Sequence, residues 1–155
     1  MAELDTLLQL GEEFARKILL EERHKFLMPT YHLIGADGSS LVIGCPWEND
    51  LQKQMAFAAV KQKAREMKCR AFCFVSEGWT VTRLVGTDGP RPSEAPDRIE
   101  IVNISGSDTT TSKAVLLHMV RDLSPGMNNR VIALEPMTRM DDAVGPMLDG
   151  IIQPQ

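Results

Sequence analysis

A chain of 155 residues can bury a substantial core without disulfide or metal staples, and is most simply one domain. Its apolar content of 43% and charged content of 25% are ordinary for a globular chain, and no apolar run approaches the ~20 residues of a membrane-crossing helix. The net charge of −4 divides unevenly, with 4 basic and 9 acidic side chains in residues 1–50, 9 and 6 in 51–100, and 4 and 6 in 101–155. No part is basic enough for a dedicated nucleic-acid binder.

The opening Met-Ala-Glu-Leu-Asp is acidic and has no basic region ahead of an apolar run, which argues against a signal peptide and for a cytoplasmic location. Residues 3–23 then carry Leu4, Leu7, Leu8, Gly11, Phe14, Ala15, Ile18 and Leu19 at helical spacing. This predicts an amphipathic helix laid on a sheet. Two β-rich runs follow, Thr30 to Gly35 and Ser40 to Gly44, joined by Ala36-Asp37-Gly38-Ser39. Asp-Gly favours positive φ and marks a hairpin.

Asn49 with Gln52 three residues on reads as the N-terminal cap of a second helix. Ala56, Phe57, Val60, Ala64 and Met67 form its inward stripe, while Leu51, Met55, Ala58 and Ala59 form a second apolar patch nearly opposite. A helix apolar on two sides is either sandwiched between layers or used at an interface. The first helix or a partner subunit is expected to cover the second patch.

Arg70 to Ser76 alternates Ala71, Cys73 and Val75 with Phe72 and Phe74, so both faces are apolar and the strand is central. Gly78 predicts a bulge or tight turn, with Trp79 to Val85 as the next strand. Gly86 to Asp97 holds three prolines and two glycines, which exclude regular structure. Strands are expected at Arg98 to Ser105, Lys113 to Asp122 and Arg130 to Glu135, separated by polar turns. The whole is an α+β domain over residues 1–135, in the order α-β-β-α-β-β-β-β-β. Two helices accompany a mainly antiparallel sheet of about five to seven strands, with the helices on one side of it or at its end. Residues 136–155 read as a tail, packed on the body or partly disordered.

The candidate chemistry is sparse. His24, His32 and His118 lack ligand spacing, so no metal site and no cofactor is expected. Gly106 to Lys113 superficially resembles a phosphate loop but lacks the second glycine and the Lys-Ser/Thr order. Cys45 precedes a helix and could pair with His32 on the neighbouring strand, but a small buried residue is the stronger reading. Cys45, Cys69 and Cys73 are expected to be free thiols in a reducing compartment. The best candidate site is polar: Glu77 and Trp79 at the end of the central strand, with Arg91, Asp97 and Arg98 around the proline-rich segment. These residues would either tie that segment down or bind a ligand.

The functional expectation is a non-catalytic binding or assembly protein that self-associates and takes a protein partner. It binds neither membrane nor nucleic acid. The alternative is a small enzyme with an acid–base or ligand site at Glu77, Asp97 and Arg98 near Trp79.

Overall fold

The computed structural model describes residues 3–80, 98–142 and 148–155. Among them are α1 (Glu3–Arg16), β1 (Thr30–Ile34), β2 (Ser40–Gly44), α2 (Asp50–Glu66), β3 (Ala71–Thr80), β4 (Ile99–Asp108), β5 (Ser112–Arg121) and β6 (Val131–Met140). The strands form one antiparallel six-stranded sheet in the order β2-β1-β3-β4-β5-β6. This is the α+β class that the alternation of patterns predicts.

Local chemistry sets the elements. The β1–β2 turn carries Gly38 at φ 83, and Asp37 accepts a hydrogen bond from the Ser39 N–H at 2.9 Å. Asn49 caps α2 by accepting from the Gln52 N–H at 2.8 Å, while Gln52 reaches back to the Glu48 N–H at 2.7 Å. α1 continues into a π-helical turn, Lys17–Glu21. That turn is closed by Arg23 at φ 58, with the His24 N–H bonded to the Ile18 carbonyl at 3.0 Å.

The two helices lie on opposite faces of the sheet, not on one side of it or at its end as the pattern predicts. Ala71, Cys73 and Val75 join Leu4, Leu7, Leu8 and Ala15 of α1 in one core. Phe72 and Phe74 join Val60 and Ala64 of α2 in the other, with Tyr31, Leu33 and Ile151. Successive strand residues point to opposite faces, so a strand apolar on both sides needs two covers. Two glycines let α1 approach. A Cβ on Gly11 would meet Cys73 Sγ at 2.8 Å and Ile104 Cγ2 at 2.9 Å. One on Gly106 would meet the Phe72 carbonyl at 2.2 Å and Leu4 Cδ1 at 3.1 Å.

Gly78 makes neither bulge nor turn. The β3–β4 register runs without a slip from Ala71↔Asp108 to Thr80↔Ile99, with Gly78 opposite Ile101. Trp79 therefore continues the central strand, and residues 81–97, including the rest of the expected next strand and the proline-rich segment, lie outside the described residues. β4 runs on to Asp108, so the phosphate-loop-like stretch is a strand, a tight turn and the start of β5. The Asp108 carboxylate organises that turn, accepting from the N–H groups of Thr110 and Thr111 at 2.9 and 2.7 Å.

β6 passes position 135 and ends at Met140. The strand expected to end at Glu135 runs on through Pro136 because this is an outer strand, where a proline is tolerated beside an irregularity. The register shifts between Leu116 and Leu117, leaving Met137 unmatched. Farther on, Ile151 is fully buried against the α2-side core, and the Gln153 N–H bonds the Cys69 carbonyl at 2.9 Å.

Candidate functional site

The α1 face of the sheet ends in a charged corner. Alternation along β3 and β4 places Glu77, Trp79, Glu100 and Arg98 on this face, beyond the apolar residues Val75 and Val102. The segment joining the π-helical turn to β1 passes over them, and Leu27 within it is 4% exposed.

Glu77 turns to that segment: its Oε1 accepts the Leu27 N–H. Burial pushes the Glu77 carboxyl above the usual carboxylate range. The Leu27 N–H and the Arg121 charge pull against that shift, and the Glu100 charge adds to it. Arg98 does not join Glu77. Its guanidinium lies over the Trp79 ring, 4.4 Å from the centroid, and Trp79 remains 40% exposed. Arg91 and Asp97 lie outside the described residues.

The residue that organises the corner is one the sequence reading did not single out. Arg121 Nε and Nη2 bond the two Glu100 oxygens at 2.7 and 3.1 Å. Arg121 also donates to the carbonyls of Asn129 at 2.9 Å and Lys25 at 3.0 Å, and lies 5.7 Å from the Phe26 ring. One guanidinium thus joins β4, the segment after the π-helical turn, and the turn between β5 and β6. A hairpin folded about the 109–111 turn sets Glu100 opposite Met119, one diagonal step from Arg121. That register was the available signal.

Chemically, the corner holds two carboxylates, of which one is bound by a guanidinium and the other by a main-chain N–H. The arrangement ties the segment at 25–27 to the sheet. Burial leaves Glu77 poised to change protonation above the ordinary carboxylate range.

The other sequence candidates separate. Cys45 packs with Tyr31 and Phe74 on the α2 side, whereas His32 lines an apolar groove with Leu10, Gly11 and Val42 on the α1 side. Burial pushes the Cys45 thiol up and the His32 imidazole down, so neither is activated. Among the described residues, no three His, Cys, Asp or Glu side chains are placed to hold a metal ion. No helix among them is long and apolar enough to cross a membrane.

Compared with protein-family models, with curated proteins and with solved structures, the chain finds no match in any of the three.

Proposed function

We propose that the protein is a non-catalytic binding or assembly protein of the cytoplasm that associates with further copies of itself and takes a protein partner. The observation that supports this reading most lies on α2. Leu51 is 66% exposed and Met55 64%, and Ala58 and Ala59 are exposed beside them. These four share the side turned away from Val60 and Ala64. α1 is on the other face of the sheet, so it cannot cover them. A helix apolar on both sides, with one side left in water, is the kind of surface a partner covers.

The tied state of the charged corner supports the same reading, since Arg121, Glu100 and Glu77 are engaged with each other or with main chain. The basic side chains of α2 are also partly engaged: Lys53 lies over Trp47, Lys61 over Phe57, and Lys63 is 3.2 Å from Glu66. Light scattering of the purified chain over a range of concentrations tests the proposal. A mass above that of one chain is expected; a monomer throughout overturns it.

A second reading is a small enzyme or ligand site in which Glu77 supplies the proton and Arg98 and Asp97, with Arg91, hold a polar substrate beside Trp79. It is favoured by the Glu77 carboxyl, whose proton affinity burial raises. If it holds, Glu77→Gln and Arg98→Ala each abolish a ligand-induced rise in melting temperature that the parent shows with some small polar metabolite. A ligand whose effect both variants retain argues against it.

A further inference from the structure

Beside α1, on its β6 side, the described residues leave a cleft of about 360 Å³. Its floor is apolar, for Leu8 and Val115 are 5% and 8% exposed. One wall is helical: Asp5, Gln9 and Glu12 recur four and three residues apart and align along one side of α1. The other wall is Arg139 of β6. Its register partner is Val115, so its side chain leaves the same face of the sheet as the floor. A smaller cleft continues from it past Pro136 and Met137, where β6 shifts register.

The charges here are not all used. Asp5 is paired with Lys113 at 2.9 Å. Glu12 reaches Arg16 only at 3.5 Å, and Arg16 also bonds the Leu134 carbonyl at 3.0 Å. The Arg139 guanidinium enters none of the hydrogen bonds or ion pairs among the described residues. The cleft thus sets an uncommitted guanidinium on one wall against a weakly held carboxylate and an amide on the other, across an apolar floor.

We propose that this cleft binds a free α-amino acid with an apolar side chain. The Arg139 fork takes the carboxylate through two parallel N–H···O bonds. Glu12 and the Gln9 carbonyl oxygen accept from the ammonium group, and the side chain lies on Leu8 and Val115. A simple anion meets repulsion from Glu12, and a simple cation meets repulsion from Arg139. The volume lies within the range of about 300–1,000 Å³ typical of small-molecule sites. The inference does not depend on self-association, because the cleft and the α2 patch are on opposite faces of the sheet.

Isothermal titration calorimetry of the full chain tests it with three probes: leucine, isocaproate (leucine without its amino group) and isopentylamine (leucine without its carboxylate). Saturable leucine binding is expected, with each truncated probe weaker by roughly tenfold or more. Arg139→Ala should weaken leucine by a similar factor and spare isopentylamine; Glu12→Gln should weaken leucine and spare isocaproate. Gln9→Ala, which removes one acceptor for the ammonium group, should weaken leucine less than Glu12→Gln does and spare isocaproate, and thermal melts confirm that each variant is folded. No saturable binding of leucine, isoleucine, valine or methionine overturns the proposal. So does leucine binding that Arg139→Ala leaves unchanged, or isocaproate binding as tight as that of leucine.

Discussion

Arg121 and Glu100 meet fork to fork, with Nε to Oε1 at 2.7 Å and Nη2 to Oε2 at 3.1 Å, on side chains only 11% and 24% exposed. Removing one partner of such a pair leaves the other partly buried and unmatched. Arg121→Gln is expected to cost about 2–3 kcal/mol, below the full-burial range because Glu100 keeps some contact with water. Glu100→Gln should cost less, since Arg121 keeps the carbonyls of Lys25 and Asn129. Urea denaturation of both variants checks the order. Equal stabilities would remove Arg121 as the tie between the three segments.

Glu77 gives the corner a pH dependence. Its folded pKa lies above the unfolded value, so the folded chain binds this proton more tightly. The resulting stability is fully present below the ordinary carboxylate range and is lost as pH rises through the folded pKa. Glu77→Gln keeps an acceptor for the Leu27 N–H but carries no charge to desolvate. Relative to the parent, it is expected to gain stability as pH rises from the ordinary carboxylate range through the folded pKa of Glu77. Denaturation curves at the two ends check this; a gap that is constant with pH refutes it.

Gly11→Ala tests the contact between α1 and the sheet. Alanine improves helix propensity by about 1 kcal/mol. The new methyl, however, falls 2.8 Å from Cys73 Sγ and 2.9 Å from Ile104 Cγ2. Overpacking of this kind costs about 1–3 kcal/mol, so a net loss of about 1 kcal/mol is expected. Cys73→Ala in the same chain should recover part of it, giving a double-mutant cycle that is not additive. A stabilised Gly11→Ala chain would mean that the helix can move away freely.

Met55→Glu separates folding from association. The side chain is exposed and outside both cores, so stability measured under monomeric conditions should change by no more than about 0.5 kcal/mol. Sedimentation velocity should show a loss of the associated species. If association survives Met55→Glu and Leu51→Glu together, another surface carries it.

The thiols of Cys45, Cys69 and Cys73 are 2%, 0% and 1% exposed. Burial pushes all three up, that of Cys73 to about 12. A chromogenic disulfide reagent at neutral pH should leave them unreacted in the folded chain and titrate all three in denaturant. Rapid reaction of Cys45 before unfolding would contradict its packing beside Tyr31 and Phe74.

Local chemistry was readable in advance. Asp37-Gly38 announced the hairpin and Asn49 with Gln52 the start of α2, because each acts within three residues. The alternation in Ala71–Val75 revealed that both faces of the central strand are buried. It could not say which helix covers which face, since that choice depends on contacts between distant parts of the chain. Gly78 misled because nothing there requires a glycine: a Cβ would meet Ile101 only at 3.7 Å, an ordinary contact. At the corner, Glu77 and Arg98 were identified as charged groups near one another. The Leu27 N–H bound to Glu77 and the Arg121–Glu100 pair were not, because Leu27 and Arg121 reach the site through a crossing segment and a strand register.

The sheet order has a consequence for how the chain assembles. β4 and β5 close over a turn of a few residues, and β5 and β6 over the next turn, so these strands can find one another early. β1 must pair Ile34 with Ala71 across its own hairpin and the whole of α2, a far longer loop to close. α1 has a surface to settle on only once β3 and β4 lie side by side. Short loop closure therefore favours the C-terminal meander as the first part to form, with α1 and the β1–β2 hairpin docking after it.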